Sequence, residues 1–211
     1  MLTFPGGLYA ITPETADTDH LLALVEAALT GGAAAVQYRD KSNDVARRHA
    51  QASELVALCR QFGAPLIVND DLRLADLADA DGVHLGRDDG SLREARIILG
   101  THKFIGASCY QSLELALVAQ AAGADYVAFG SFYPSPTKPA ADRADPALLH
   151  EARSALQLPI VAIGGITRAN APQLLDAGAD SLAVLSTLFD APDVRAAARD
   201  LNHLFEAEPE D

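Results

Sequence analysis

The sequence alternates, eight times over, between a short apolar run and a longer segment with helical periodicity. The apolar runs predict strands at 8–11, 34–39, 65–69, 82–85, 104–109, 125–130, 159–163 and 181–186. The segments between and after them predict helices at 19–29, 44–62, 72–79, 91–99, 112–122, 146–156, 168–177 and 192–205. Leu21, Val25 and Leu29, for example, fall on one helical face. Strands that alternate with helices are typical of a parallel sheet.

Eight strand–helix units can form either an open, doubly wound sheet or a closed (β/α)8 barrel. No G-x-G-x-x-G pattern follows the first strand, which weakens the open-sheet alternative. The 211 residues are 49% hydrophobic and contain no long linker, which suits one core rather than two. The predicted fold is therefore α/β, a (β/α)8 TIM barrel, with a single catalytic domain at 1–205 and an acidic tail at 206–211.

The charge balance limits the partners of the chain. Its 16 basic and 29 acidic residues give a net charge of −13. Such a field repels nucleic acid and anionic membranes, so neither is an expected partner. An acidic protein that binds anionic small molecules must hold them with local clusters of cations. Small-molecule substrates are the expected partners, and homo-oligomer formation is left open.

The two cysteines and the amino terminus indicate the compartment. Cys59 and Cys109 fall in a predicted helix and a predicted strand, without the spacing of a disulfide framework or a metal site. The amino terminus has no basic segment before a long apolar core, so no signal peptide is predicted. The apolar runs are much shorter than a membrane span. We therefore expect a cytoplasmic protein with reduced thiols.

Seven of the predicted strands stop abruptly at residues suited to holding phosphate or a metal ion. Chemistry placed repeatedly at the carboxyl ends of strands is how a parallel α/β protein builds an active site. This pattern predicts an enzyme and locates its pocket.

The second strand carries the first group of candidate residues. Alternation along a strand places Gln37 and Arg39 on the same side, and Lys41 follows just beyond the strand. A planar guanidinium and a flexible ammonium suit a diphosphate, which has several oxygens to satisfy. The alternative for Arg39 alone is an interior ion pair with a carboxylate. The three residues together favour ligand binding.

Carboxylates follow the third and fourth strands. Asn69 and Asp70 end strand three, and Asp88 and Asp89 close the loop after strand four. Neighbouring parallel strands bring these ends together, and carboxylate oxygens near a diphosphate are the usual protein ligands of Mg²⁺. Aspartate is also a frequent helix cap, so a capping role for Asp70 and Asp88 is an equal alternative.

The last three strands carry the third group of candidates. A proline-rich loop at 132–139 follows strand six and contains Ser135, Thr137 and Lys138. Prolines stiffen such a loop, so its hydroxyls and ammonium can form a preorganised anion clamp rather than a plain connector. The segments 164–165 and 185–186 follow strands seven and eight, where barrels commonly bind a phosphate through backbone N–H groups.

No candidate general base accompanies these groups. The six histidines are scattered, and a structural, hydrogen-bonded role is expected for His84. Two anion sites and one cation site suggest transfer from a diphosphate ester to a second, phosphorylated substrate.

Seven motifs in order resemble the thiamine phosphate synthase family. They are V-Q-x-R-x-K at 36–41, N-D-D at 69–71, A-D-G-V-H-L-G-x-x-D at 80–89, G-x-S at 106–108, P-x-P-T-K at 134–138, A-I-G-G-I at 162–166, and Ser186. The resemblance runs from strand one to strand eight. It implies a (β/α)8 barrel that joins a hydroxymethylpyrimidine diphosphate to a thiazole phosphate, or to its carboxylated precursor, and releases pyrophosphate. The family reaction is dissociative: pyrophosphate leaves first, and the thiazole nitrogen captures the pyrimidine cation.

The resemblance also implies a role for each candidate residue. Gln37 would contact the pyrimidine. The diphosphate would be held by Arg39, Lys41, Asn69, Ser108 and Lys138, of which Arg39, Lys41, Ser108 and Lys138 form the expected catalytic group. Asp70 and Asp89 match the Mg²⁺ ligands, which selects Asp89 over Asp88. The thiazole phosphate site would comprise Ser135, Thr137, Gly165, Leu185 and Ser186.

Four positions depart from the common family pattern, and two rival functions remain. Ser131 and Ser135 replace Pro and Thr, and Cys109-Tyr110 replaces Ala-His. Ser135 keeps a hydroxyl, whereas the Cys-Tyr change affects one neighbouring contact. A thiazole tautomerase would need a histidine shortly after strand six, where Ser131 lies. A non-catalytic phosphate-ligand sensor would not need paired carboxylates.

Overall fold

Eight parallel strands close into a barrel in the computed structural model, which describes residues 3–135 and 142–206. The strands are β1 (Gly7–Ile11), β2 (Ala35–Tyr38), β3 (Leu66–Asn69), β4 (Gly82–Leu85), β5 (Phe104–Tyr110), β6 (Tyr126–Phe129), β7 (Ile160–Ile163) and β8 (Ser181–Val184). Each strand pairs with the next along the chain, and β8 pairs with β1 from Gly7 opposite Ser181 onward. The predicted (β/α)8 barrel is confirmed, and the open sheet is excluded.

Helices cover the outside of the barrel. They are α1 (Thr18–Thr30), α2 (Val45–Phe62), α3 (Leu72–Leu77), α4 (Leu92–Leu99), α5 (Leu113–Ala121), α6 (Ala147–Ala155), α7 (Ala171–Asp176), α8 (Ser186–Phe189) and α9 (Val194–Asn202), followed by a 3₁₀ turn, η1 (His203–Phe205). Every predicted helix is present. The short helix α8 was not predicted, because four residues are too few to show a helical period.

Helix caps settle one of the open alternatives. Helix α3 begins after Asp71, whose side chain accepts a hydrogen bond from the N–H of Leu74, and α4 begins after Ser91 in the same way. Helix α2 begins in the same way after Asp44, whose side chain accepts a hydrogen bond from the N–H of Arg47. Asp70 and Asp88 are therefore not the helix caps, which removes the structural alternative for these two carboxylates.

Two apolar layers stabilise the fold. The larger layer lies between the strands and the helices, and the smaller one fills the barrel. Inside the barrel, Phe4 stacks on Tyr126 with ring centroids 3.9 Å apart and forms an edge contact with Phe104, so aromatic rings close the amino-terminal end. Gln37 and His84 are buried polar residues in strands β2 and β4. The hydrogen bond from Gln37 to Tyr9 places the Gln37 side chain inside the barrel.

The remaining predictions concern the cysteines, membrane spans and the tail. Cys59 and Cys109 are free and buried, as expected, and burial raises the pKa of both thiols. Within residues 3–135 and 142–206, the helices are too short or too polar to cross a bilayer. The predicted acidic tail lies outside the described residues from position 207 onward.

Candidate active site

One large cleft opens at the carboxyl ends of the strands. Its volume is about 960 Å³, and all eight strand ends contribute to its walls. Among the residues that the structure describes, it brings together every predicted site residue: Gln37, Arg39, Lys41, Asn69, Asp70, Asp89, Ser108, Ser135, Gly165, Leu185 and Ser186. Thr137 and Lys138, also predicted here, lie outside the described residues. Residues from positions 37 to 186 meet because parallel strands end on one face of the barrel.

The strand β2 end is held by hydrogen bonds from β1 and its loop. The N–H of Arg39 donates to the Thr12 hydroxyl (2.9 Å), and the N–H of Lys41 donates to Glu14 (3.1 Å). In the described part of the chain, Arg39 forms no ion pair, which disfavours the interior ion pair considered from sequence. The Arg39 guanidinium is therefore available to a ligand in the cleft.

The adjoining loop is stabilised by a buried carboxylate that the sequence did not single out. Asp40 accepts hydrogen bonds from the N–H of Ser42 (2.7 Å) and from Arg47 (3.2 Å). Burial alone would raise the pKa of Asp40, but the bonds from Ser42 and Arg47 outweigh it and hold the pKa below its ordinary value. This charged anchor positions the segment that carries Lys41.

Asp70 and Asp89 face each other at the rim of the cleft. Asp70 has a φ of 64°, and its N–H donates to the carbonyl of His84 (2.8 Å), which ties the end of β3 to β4. Asp89 accepts a hydrogen bond from the N–H of Gly86 (2.9 Å). A Cβ at Gly86 would lie 2.7 Å from Oδ2 of Asp89, so a larger residue there would displace this carboxylate.

The electrostatics of this pair suit a divalent cation. Partial burial raises the pKa of Asp89, and the contact with Asp70 raises it further, whereas Lys41 opposes the change. The Lys41 ammonium lies 3.2 Å from Asp70. Within residues 3–135 and 142–206, no third histidine, cysteine or carboxylate joins the pair. Two carboxylates beside a cationic cleft fit Mg²⁺, which takes its other ligands from water and phosphate.

Ser108 lies near the carboxyl end of β5. Its hydroxyl is 2.9 Å from Nε2 of His84, which confirms a hydrogen-bonded role for that histidine. The next residues explain the Cys-Tyr departure. Cys109 is buried away from the cleft, whereas Tyr110 lines the cleft and stacks on the Arg87 guanidinium, 5.1 Å from the ring centroid. Arg87 and Tyr110 are therefore rim residues that the motif pattern did not identify.

The Gly164-Gly165 segment receives the loop that follows β6. The N–H of Tyr133 donates to the carbonyl of Gly164 (3.0 Å). A Cβ at Gly165 would lie 2.3 Å from the carbonyl oxygen of Pro134, and Gly165 has a φ of +63°. The glycine pair therefore allows the loop carrying Ser135 to pack directly on the end of β7.

The end of β8 turns at once into helix α8. Leu185 leaves the strand conformation, with φ −118° and ψ −82°, and Ser186 begins the helix. The Thr187 hydroxyl donates to the carbonyl of Ile166 (2.7 Å), which joins this turn to the segment after β7. Gly165, Leu185 and Ser186 consequently line one side of the cleft, opposite the Asp70–Asp89 pair.

Tyrosines inside the barrel were missed by the motif reading. Tyr9 and Tyr126 are buried below the cleft and join Gln37 to His84 through hydrogen bonds. The alternation that identified Gln37 applies equally to β1 and β6 and would have placed both tyrosines inside the barrel.

The fold and the cleft define a class of protein. A (β/α)8 barrel with cations, paired carboxylates and a tight glycine turn in one polar cleft is an enzyme that acts on phosphorylated small molecules.

Comparison with known proteins narrows this class. The family model described as thiamine monophosphate synthase matches residues 8–188. The thiamine-phosphate synthase of Thiobacillus denitrificans is 78% identical over the whole of both chains. That of Methylobacillus flagellatus is 55% identical, covering 94% of this chain and 95% of the relative. The thiamine phosphate pyrophosphorylase of Pyrococcus furiosus has a TM-score of 0.84 and 36% identity, covering 95% of each chain.

The chain belongs to the thiamine monophosphate synthase family, as the seven motifs indicated. It is a transferase of thiamine biosynthesis.

Proposed function

We propose that this transferase joins 4-amino-2-methyl-5-hydroxymethylpyrimidine diphosphate to 4-methyl-5-(2-phosphoethyl)thiazole, or to its carboxylated precursor. The products are thiamine phosphate and pyrophosphate, and the carboxylated precursor would in addition lose its carboxyl group as carbon dioxide. The observation that carries the proposal is the convergence of Arg39, Lys41 and the Asp70–Asp89 pair in one cleft, opposite the turn at 164–165. Such a cleft can hold a diphosphate on one side and a phosphate monoester on the other.

The pyrimidine diphosphate would lie against strands β2, β3 and β5. Gln37, buried at the floor of the cleft, would bind the polar edge of the pyrimidine. Arg39, Lys41 and Ser108 would bind the diphosphate oxygens, together with Asn69. Lys138, although outside the described residues, belongs to the same proposed group. Because the chain carries a net charge of −13, this local cluster must provide the attraction for an anionic substrate.

Asp70 and Asp89 would hold a Mg²⁺ ion next to the diphosphate. The contact with Asp70 helps to raise the pKa of Asp89, and a divalent cation would remove that repulsion. Bound there, Mg²⁺ would neutralise negative charge on the diphosphate oxygens.

The thiazole phosphate would lie against strands β6, β7 and β8. The backbone around Gly165, Leu185 and Ser186 would bind the phosphate, with the Ser135 hydroxyl and Thr137 from the neighbouring loop. The packing of Gly165 against the Pro134 carbonyl holds these two segments together before substrate binds. This arrangement would direct the thiazole nitrogen toward the pyrimidine methylene carbon.

The reaction then needs no nucleophilic side chain. The bond between the pyrimidine methylene carbon and the diphosphate oxygen breaks, and the electron pair leaves with pyrophosphate. Arg39, Lys41 and Ser108 stabilise the charge that develops on this leaving group. The thiazole nitrogen donates its lone pair to the pyrimidine cation and forms the new C–N bond. The cleft holds both partners in the orientation that favours this capture.

A coupled assay tests the activity. Purified protein is supplied with Mg²⁺ and either one or both substrates, and the release of pyrophosphate and formation of thiamine phosphate are measured. We expect both products only when both substrates are present. Binding of both substrates without turnover would identify a sensor and contradict the proposal. A thiazole tautomerase would convert the carboxylated thiazole without the pyrimidine. That activity would need a histidine where Ser131 lies. The Ser131 hydroxyl donates to the Tyr133 carbonyl.

Neighbouring carboxylates test the metal site. Asp89→Asn should raise the Mg²⁺ concentration for half-maximal activity at least about tenfold, because one ligand loses its charge. Asp88→Asn is the control, because it removes one negative charge at the neighbouring position. It should change the Mg²⁺ concentration for half-maximal activity by less than about twofold. Calorimetric titration of Mg²⁺ in the presence of pyrophosphate should show the same difference. Equal effects of the two substitutions would contradict the assignment of Asp89.

The two free, buried thiols support the proposed cytoplasmic location.

A further inference from the structure

Five side chains form a continuous hydrogen-bonded chain across the floor of the cleft. Nε2 of Gln37 donates to the Tyr9 hydroxyl (2.9 Å), and the Tyr9 hydroxyl lies 2.9 Å from that of Tyr126. The Tyr126 hydroxyl is 3.0 Å from Nδ1 of His84, whose Nε2 is 2.9 Å from the Ser108 hydroxyl. The chain thus joins the residue proposed to bind the pyrimidine to a residue proposed to bind the diphosphate.

The donors in this chain have one consistent direction. The Tyr9 hydroxyl accepts a hydrogen bond from Gln37. Its own proton then forms a hydrogen bond if it is donated to the Tyr126 hydroxyl. Tyr126 then donates to Nδ1 of His84, which must be unprotonated. The proton of the neutral imidazole is left on Nε2, which donates to Ser108. The Ser108 hydroxyl accepts this bond and keeps its own proton for another acceptor.

The surroundings hold these side chains in place and keep both tyrosines protonated. Tyr9 and Tyr126 are 2% and 0% exposed, and burial raises the pKa of both, so their hydroxyls stay protonated. Gly106 provides the space: a Cβ there would lie 2.1 Å from the Tyr126 ring and 2.5 Å from Nδ1 of His84. Phe4 covers the other face of the Tyr126 ring. The chain is therefore a packed part of the barrel interior.

We propose that His84 is a positioning residue whose Nε2–H tautomer, set by Tyr126 and Tyr9, reserves the Ser108 proton for the departing diphosphate. The proposal rests on the function proposed above. The hydrogen-bonded chain also couples Gln37, at the pyrimidine end of the proposed site, to Ser108 at the diphosphate end. Reversal of the chain would engage the Ser108 proton with His84 and would require the Gln37 amide to turn its oxygen toward Tyr9. When the Gln37 amide donates to Tyr9, the Ser108 proton is therefore left for a ligand.

The tautomer can be measured in the wild-type protein without substrate. In protein labelled with ¹⁵N-histidine, long-range ¹H–¹⁵N correlation distinguishes protonated from unprotonated ring nitrogens. The His84 ring is assigned by its contacts with the Tyr126 ring, whose centroid lies 5.5 Å away. Well above the ordinary histidine pKa of about 6.5, we expect a proton on Nε2 and none on Nδ1. A proton on Nδ1 would reverse the chain and overturn the proposal, whatever the protein catalyses.

A double-mutant cycle tests the action through Ser108. Tyr126→Phe removes one hydroxyl from the middle of the chain and should lower kcat about tenfold. If the effect passes through Ser108, the variant Tyr126→Phe/Ser108→Ala should have the kcat of Ser108→Ala alone within about twofold. If the fold-decrease in kcat of the double variant equals the product of the two single decreases, Tyr126 acts independently of Ser108. That result would refute the proposal.

Tyr38→Phe is the matched control. Tyr38 is 2% exposed, its hydroxyl donates to Gln51 (2.8 Å), and it faces the helices rather than the barrel interior. The hydroxyl also lies 3.5 Å from Asp40, which keeps its hydrogen bonds from Ser42 and Arg47 in the variant. This variant should lose comparable stability while kcat changes less than about twofold. Equal losses of kcat in Tyr38→Phe and Tyr126→Phe would indicate a general effect of destabilisation and would contradict a positioning role. Failure of the coupled assay with wild-type protein would overturn the proposed activity, but it would leave the tautomer measurement interpretable.

Discussion

Gly165 shows how a single residue combines backbone conformation with close packing. Its φ is +63°, and a Cβ would lie 2.3 Å from the Pro134 carbonyl oxygen. Gly63, which caps α2, has nearly the same φ of +68°, but nothing lies within 4 Å of the equivalent Cβ position. A comparison of the two positions therefore distinguishes the free-energy cost of the left-handed conformation from the cost of a steric clash.

Alanine at these two positions should have different effects. Gly63→Ala should lower the free energy of unfolding by about 1 kcal/mol, the cost of the left-handed conformation. Gly165→Ala should lower it by about 3 kcal/mol, because overpacking adds to that cost. It should also raise the KM for the thiazole phosphate roughly tenfold or more, since the loop that carries Ser135 is displaced. Urea unfolding and steady-state kinetics measure both effects. Equal changes in the two variants would show that the Pro134 contact is unimportant.

At the residue scale, the sequence motifs identified the side chains proposed to bind substrate. They did not identify the buried side chains that hold these residues in position. Gln37 and Arg39 are recognised because they follow an apolar run at the right alternation. Tyr9 and Tyr126 resemble ordinary core residues in sequence, although they are 117 positions apart and hydrogen-bonded. Contacts over such a separation depend on closure of the barrel, which no local pattern contains.

At the scale of elements, a repeated aspartate stabilises the amino-terminal face of the barrel. Asp81, Asp125 and Asp180 each precede a strand, and each carboxylate accepts a hydrogen bond from a backbone N–H in the first two residues of the preceding strand. Asp125 also pairs with Arg96 at 2.5 Å, and Asp180 pairs with Arg153. Because the cleft lies at the opposite face, these carboxylates stabilise strand pairing and do not take part in catalysis.

Replacement of one such carboxylate should separate stability from activity. Asp125→Ala should lower the free energy of unfolding by about 2 kcal/mol, because the N–H of Ile105 loses its side-chain acceptor and Arg96 loses its charged partner. Arg96 keeps its hydrogen bonds to the backbone carbonyls of Gly100, Lys103 and Gly123. The KM values should stay within about twofold of wild type. Asp200→Ala, which removes an exposed partner of Arg168 at 3.5 Å, should change the unfolding free energy by less than about 0.5 kcal/mol. A large rise in KM for Asp125→Ala would contradict a purely structural role.

The element pattern was predicted well, and its errors have a physical cause. All eight strands and their following helices were found, with the largest shifts, three residues, at the start of α7 and the end of α9. Helix ends depend on capping and on 3₁₀ turns such as η1, which periodicity does not reveal. Helix α8 was missed because its four residues are too few to show a helical period, and the predicted strand ran on to Ser186, where the helix begins.

At the scale of the whole molecule, the protein must bind anions despite a net charge of −13. Arg39 and Lys41 would attract the diphosphate, as proposed above, but Asp70 and Asp89 add negative charge beside them. Mg²⁺ and pyrophosphate should therefore bind together much more tightly than either binds alone.

Thermal unfolding measures this coupling. At about 100 times the dissociation constant, pyrophosphate with Mg²⁺ should stabilise the fold by about 2.7 kcal/mol and raise Tm by roughly 5–10 °C. Pyrophosphate with a chelator, or Mg²⁺ alone, should raise Tm much less. An equal rise with pyrophosphate in the presence of chelator would contradict a site shared by metal and diphosphate.

The sequence by itself determined the order of eight strand–helix units and the side chains that follow each strand, since both depend on local periodicity and chain order. Those two properties predicted a barrel with a cleft for phosphorylated ligands at one end. Only the tertiary structure decided which groups meet: Asp70 with Asp89, the Pro134 carbonyl with Gly165, and His84 with Tyr126 and Ser108. The reason is geometric. Alternation specifies the side of a strand on which a residue lies, whereas closure and stagger of the barrel set the distances between residues of different strands.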